Sequence, residues 1–277
     1  MKSDSLNIVV IMAHHDDHTF VCTGTLAKWS KAGHDVYVIS VTSSDIGTLR
    51  TDLTKEYVAN MCEKELEEAN KVLGVKETIF LRYPDGGFID GAKLREDLVY
   101  YVRKLKADRI FTHDPWQPYE VHPDHVIVGR MAAEAGAFAA FPLLYPEQLK
   151  NGVEPYVCSE VWFMGILGHA PNCYIDISST FDIKVEHALI FESTLTLLAE
   201  LFAPNIDPSN VSPKDLKKLA KYAKRLLNSL AVTIGGKVNL KMAEAFYVQK
   251  TLPGHFDNFQ ELLREMLGNP PEPPKLC

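Results

Sequence analysis

The sequence predicts an α/β fold: a doubly wound, Rossmann-like, mostly parallel sheet with helices on both faces and a helical C-terminal part. Two observations carry this. Short, continuously apolar, β-branched runs such as "NIVVIM" (7–12) suit strands buried on both faces, as parallel strands are. Between them lie longer stretches with apolar residues at three-to-four spacing, several closed by a glycine. Strand and helix signals in alternation require crossover connections, and these build a parallel sheet.

The elements follow in order. After 7–12, a helix is expected over about 20–32 ("FVCTGTLAKWSKA"), ending at Gly33. "DVYVISVT" (35–42) is the second strand, and 54–74 is a helix closing on Gly74. "TIFLRY" (78–83) is a strand, 94–107 a helix and "RIFTH" (109–113) the fourth strand. A further helix is expected from about His122 through "VIVGRMAAEAGAFAA". Beyond it the pattern loosens. Residues 160–166 and 173–178 read as strands, 180–202 and 212–231 as helices, and "NPPEPPKLC" as an irregular tail. The basic face of 212–231 reads as solvated surface. No internal repeat or linker marks a boundary. The chain is therefore read as one domain over 1–277, with a Rossmann-like core over about 1–140 and additions over about 141–277.

Composition narrows the function. A net charge of −7 and a pI near 5.8 argue against a general nucleic-acid binder, which needs a basic footprint. The N-terminus offers only about six apolar residues before a charged cluster, too few for a signal sequence, and no run approaches the ~20 of a membrane span. Five cysteines (Cys22, Cys62, Cys158, Cys173, Cys277) are scattered without C-x-x-C spacing. The expectation is reduced thiols in a cytoplasmic protein.

Two polar clusters fall at the carboxyl edge of the sheet, where ligands bind in open α/β folds. "AHHDDH" (13–18) follows the first strand and "HDPWQPYEVHPDH" (113–125) the fourth. In "HPDH", Pro123 suits the first helical position, which places His122 at the cap. His125 lies three residues on, one turn around, on the same side. Surface histidines would explain this pair taken alone. With "AHHDDH" added, His14 and Asp17 from one loop and a histidine from the other make a site of three N and O donors. Catalytic zinc commonly takes three protein ligands and leaves a position for water, though iron or cobalt suits the same donors. A free carboxylate beside it could accept a proton from that water.

Further motifs follow in order: "VTSSDIGT" (41–48), "CEKELEEANKVLG" (62–74), "RYPDGG" (82–87), "PYEVHPDH" (118–125) and, more weakly, "MAEAFYVQ" (242–249). With "AHHDDH…GTL", they resemble the zinc-dependent amino-sugar N-deacetylases called the LmbE-like or PIG-L family. Within it, "DPWQPYEVHPDH" is most similar to the diacetylchitobiose deacetylases. The resemblance implies zinc bound by His14, Asp17 and His125, with Asp16 as general base. It implies His122 as the group that protonates the leaving amine or stabilises the oxyanion. A histidine at a helix N-terminus beside a dication is disfavoured as a cation, so His122 is expected to have a carboxylate partner, Asp124 first and Asp114 second. Asp85 corresponds to a sugar-hydroxyl contact, though Asp before glycine is also an ordinary turn. Asp45, in the loop after the second strand, and His255, in "LPGHFDNF", are weaker substrate-contact candidates. The resemblance also implies a small amino-sugar substrate and a homo-oligomer, trimeric or hexameric, for which "FAAFPLLYP" (138–146) could serve as an interface.

The family's first motif reads A-H-P-D-D-E; here Pro is His15 and Glu is His18. His18 is expected to sit just behind the metal ligands. Cys62 stands where relatives often carry an Arg that holds substrate. An N-deacetylase of an N-acetylglucosamine-type sugar is thus the expected function. A zinc amidase acting on a non-sugar substrate, such as a thiol conjugate, shares every metal residue. A phosphoacceptor signalling domain, also marked by paired aspartates after a first strand, would leave "HPDH" and half the chain without a role.

Overall fold

The computed structural model describes residues 5–165, 171–202, 211–251 and 275–276. Strand β1 (Asn7–Met12) lies inside the sheet, paired in parallel with β2 (Asp35–Thr42) on one side and β4 (Arg109–His113) on the other. Its alternate side chains enter two separate cores. Ile8, Val10 and Met12 face one, and Val9 and Ile11 the other, which is why the run is apolar throughout.

Helix α1 (Thr23–Lys31) follows β1, α2 (Lys55–Leu73) follows β2, and β3 (Glu77–Tyr83) pairs in parallel with β2. Helices α3 (Gly91–Leu105) and α4 (Pro123–Phe138) cover the face opposite α1 and α2. Glycine lets α4 approach closely: a Cβ on Gly129 would lie 2.5 Å from the His113 carbonyl oxygen. The chain continues through α5 (Pro146–Lys150), β5 (Glu160–Met164), β6 (Cys173–Asp176), α6 (Phe181–Ala188), α7 (Glu192–Phe202), α8 (Pro213–Gly236), β7 (Ala243–Lys250) and β8 (Lys275–Leu276). The eight-stranded sheet has the order β3-β2-β1-β4-β5-β7-β6-β8, with β7 antiparallel to both neighbours. Strand order reverses between β1 and β4, so the crevice beyond their carboxyl ends is the switch point of the fold.

The expected fold class is the one observed, and the structure refines its second half. The helix expected over 180–202 is broken between α6 and α7. Phe191, only 1% exposed, is buried in the core there. The second C-terminal helix runs on to Gly236 and starts on a full capping box, Ser212 with Asp215, with Pro213 inside it. "AEAFYVQK" is an internal strand, β7, that the apolar pattern did not announce. Its Glu244 points into the interior, where it accepts hydrogen bonds from Gly24 N, Thr25 N and Thr25 Oγ1 and pairs with Lys184 at 2.6 Å.

The segment after α4 is tied down by buried Arg103, whose guanidinium donates to the carbonyls of Ala139, Phe141 and Leu144 and to Gln148 Oε1. Phe141 and Leu143 stay exposed beside it. Cys22, Cys62 and Cys158 are free and buried, whereas Cys173 is disulfide-bonded, a departure from the expectation of reduced thiols throughout. No helix among the described residues is long and apolar enough to cross a membrane.

Candidate active site

The loop leaving β1 makes a tight turn, with Thr19 N bonded to Asp16 O and Cys22 N to His18 O. This turn points His14, Asp16 and Asp17 at different partners. His14 Nδ1 lies 3.3 Å from His125 Nε2 and 3.5 Å from Asp17 Oδ2, and Asp17 Oδ1 is 3.3 Å from His125 Nε2. Three ligands about 2.0–2.1 Å from a tetrahedral ion stand about 3.4 Å apart; the His14–His125 pair has that spacing, while Asp17 turns a different oxygen to each ring, Oδ2 to His14 and Oδ1 to His125. Overlapping clusters around it include His14–His122–His125 and Asp17–His113–His125, each able to offer convergent donors.

Every donor is aimed by a second contact. The far nitrogen of His14, Nε2, is 3.2 Å from Asp85 Oδ1 and 3.5 Å from Asp124 Oδ2. His125 turns its Nδ1 to Glu120 Oε2 at 3.4 Å. Asp17 Oδ2 accepts the His14 backbone N–H at 2.6 Å and lies 3.1 Å from His113 Nε2. Carboxylates behind both imidazoles set the tautomer that leaves the facing nitrogen free to bind a metal. Burial opposes charge on His14, yet Asp17, Asp124 and Asp85 together hold its pKa well above the ordinary value.

Asp124 occupies a cradle that glycine makes possible. Gly86 and Gly87 both adopt positive φ, 94° and 89°, and their N–H groups donate to the two Asp124 oxygens at 2.9 and 2.8 Å. Burial alone would raise this carboxyl, but the His14 ring and these two N–H groups outweigh it and hold it well below the usual range.

A cavity of about 260 Å³ opens beside these donors, lined among others by His14, Asp16, Ile46, Asp85, His122 and Thr194. His122 stacks on His125 with ring centroids 4.4 Å apart and meets His14 edge-on. Burial, with the His14 and His125 rings, lowers its pKa against the pull of Asp124.

The comparisons with known proteins follow the same line. Residues 9–136 match the family described as GlcNAc-PI de-N-acetylase, PIG-L. The chain carries a PIG-L-family domain. It is 29% identical over 191 residues to diacetylchitobiose deacetylase of Thermococcus kodakarensis, covering 69% of this chain and 71% of that protein. It is 27% identical over 167 residues to mycothiol S-conjugate amidase of Streptomyces coelicolor, covering 52% of this chain and 56% of that one. The solved structure of N,N'-diacetylchitobiose deacetylase from Pyrococcus horikoshii, in complex with an inhibitor, superposes with a TM-score of 0.76. That pair shares 28% identity over 92% of this chain and 86% of the other.

Around the matched segment, the structure brings His14, Asp16, Asp17, His122, Asp124 and His125 together. Asp124 lies 4.0 Å from His122 Nδ1, at ion-pair rather than hydrogen-bond distance, because the glycine N–H groups claim its oxygens. Asp114 instead bonds its own loop at Trp116 N. Asp85 reaches the cavity wall, but its bond to His14 makes it an orienting carboxylate as well. Asp45 lies beside Lys55 at 3.4 Å, while its neighbours Ser44, Ile46 and Gly47 line the cavity in its place. His255 lies outside the described residues.

The departures from the family motif resolve separately. His15 bonds Ser193 through Nε2 at 3.1 Å. His18 is fully buried and packs edge-on against His187 with centroids 4.8 Å apart, so it is part of the packing beneath the loop. Burial pushes its pKa down to about 4. Cys62 donates its thiol to Ser44 O, an interior contact in place of an arginine's reach toward substrate. Glu120 and Thr194 were missed. Glu120 is two residues before the helix cap in "YEVHPDH", a legible position for a group that bonds His122 N and His125. Thr194, which donates to Asp16 Oδ2 at 2.6 Å, carried no signal.

Proposed function

We propose that this protein is a zinc-dependent N-deacetylase that hydrolyses the acetamide of an N-acetylglucosamine-type sugar or its conjugate and releases acetate. The observation that carries the reading is the grouping of His14 Nδ1, the two Asp17 oxygens and His125 Nε2 at 3.3–3.5 Å from one another, beside a cavity lined by His14, Asp16 and His122. His14, Asp17 and His125 would hold the ion. Zinc, when bound, polarises the amide carbonyl and makes water a stronger nucleophile.

The chain's own residues do the rest. Asp16 takes the proton of the attacking water as its oxygen adds to the acyl carbon. His122, kept neutral by burial and two neighbouring imidazoles, donates an N–H to the oxygen that gains negative charge. The carbon–nitrogen bond then breaks, the sugar nitrogen receives the proton held by Asp16, and acetate leaves.

Metal analysis of the purified protein, combined with acetate release from mono- and disaccharides of N-acetylglucosamine, tests this reading. About one equivalent of zinc and turnover abolished in Asp16→Ala are expected. Zinc-loaded protein that turns over no N-acyl sugar or amine sinks it. The similarity to a mycothiol S-conjugate amidase supports a second reading, a non-sugar amide substrate, which the same screen separates once thiol conjugates are added.

A further inference from the structure

We infer that Thr194 is a positioning residue that holds the Asp16 carboxylate in the attitude needed to take a proton from water; this rests on the proposed function. Asp16 lies on a turn at the cavity wall, and nothing in that turn fixes its side-chain torsions. Among the described residues, its carboxylate makes one side-chain hydrogen bond, from Thr194 Oγ1 to Oδ2 at 2.6 Å. The other oxygen, Oδ1, stands 4.0 Å from His15 Nδ1, beyond hydrogen-bond reach, and is left to the cavity. A carboxylate tethered at one oxygen and open at the other is what a base needs in order to present one lone pair in one direction.

The tether is itself rigid. Threonine is β-branched, so its χ1 has few choices in a helix. Helix α7, which carries it, is pinned at its first turn by Ser193, whose N and Oγ both donate to Glu65 of α2. Further along, Glu200 accepts from Thr48 Oγ1 and Leu49 N, and Leu195 and Ala199 pack against Leu219 and Ala223 of α8. The family match ends at residue 136, so this contact comes from the part of the chain outside it. Phe191, buried at the break before α7, lies against His15 of the β1 loop with ring centroids 5.5 Å apart.

The test uses zinc-loaded Thr194→Val, which keeps the shape and loses the donor, and Thr194→Ser, which keeps the donor, with Thr194→Ala in reserve if the valine variant does not fold. Thr194→Val is expected to lower kcat about tenfold to a hundredfold with KM and zinc content unchanged, and Thr194→Ser to stay within a few-fold of the parent. A crystal structure of each variant gives a readout independent of turnover: Asp16 takes several rotamers in the valine protein and one in the serine protein. An unmoved Asp16 in the valine protein, a kcat within twofold of the parent, or a loss that serine does not restore overturns the inference. A parent without amidase activity whose Asp16 rotamer still depends on the Thr194 hydroxyl overturns the proposed function and leaves the positioning role standing.

Discussion

The His14 imidazole bridges two groups of opposite purpose: its Nε2 lies 3.2 Å from Asp85 Oδ1, and its Nδ1 lies 3.3 Å from His125 Nε2. With a metal bound, the first contact would place the ring proton on Nε2 and turn the Nδ1 lone pair to the donor set. Glu120 does the same for His125 through the opposite nitrogen, Nδ1. A metal between the two imidazoles would thus hold them in opposite tautomers, each supported by its own carboxylate.

Removing either carboxylate's charge should weaken metal binding without dismantling the donors. Asp85→Asn is expected to lower zinc affinity about ten- to a hundredfold, measured by competition with a chromophoric chelator. Glu120→Gln should cost less, because its side chain is 22% exposed against 3% for Asp85, and water can replace it. Equal affinities in all three proteins would contradict the orienting role.

His122 is expected to titrate below its ordinary value of 6.5 in metal-free protein, because burial and the His14 and His125 rings outweigh Asp124. Asp124 and Asp17 both raise it, Asp124 the more, so Asp124→Asn should move the midpoint lower still. Histidine NMR titration reads this directly. A midpoint that does not move in the variant would remove Asp124 as a partner.

Glu65 provides a stability signature. Burial raises its carboxyl from 4.5 to about 7, partly opposed by the Ser193 hydroxyl and N–H. Between those values the folded protein holds a proton that the unfolded chain has released, so this group's contribution to stability falls as pH rises from about 4.5 to about 7. Glu65→Gln should flatten the dependence of Tm on pH across that window. Parallel curves for the two proteins would refute it.

The pair Lys184–Glu244 is buried on both sides, at 2% and 3% exposure. Lys184→Met leaves the carboxylate without its cation and should cost about 3–5 kcal/mol in urea denaturation. Adding Glu244→Gln removes the stranded charge, so the double variant should be more stable than the sum of the single losses predicts.

By itself the sequence determined the doubly wound core and marked most of the residues that gather at the candidate site. Continuous apolar strands and glycine-closed helices are local patterns, and "AHHDDH" and "HPDH" follow directly after the strand ends and helix cap that position them. Glu120 was within reach for the same reason. What only the tertiary structure decided lies across long separations. Glu244 hid strand β7 because a buried charge breaks the apolar pattern, and its compensating partner Lys184 is on another element. Asp45, promising by its place after β2, turned to Lys55, because a loop's position does not fix which of its side chains faces the crevice. Thr194 reaches Asp16 across 178 residues of chain, just past a helix break where one phenylalanine is buried. Local sequence carries the backbone's preferences, whereas contacts such as that between Thr194 and Asp16 exist only once distant helices have packed.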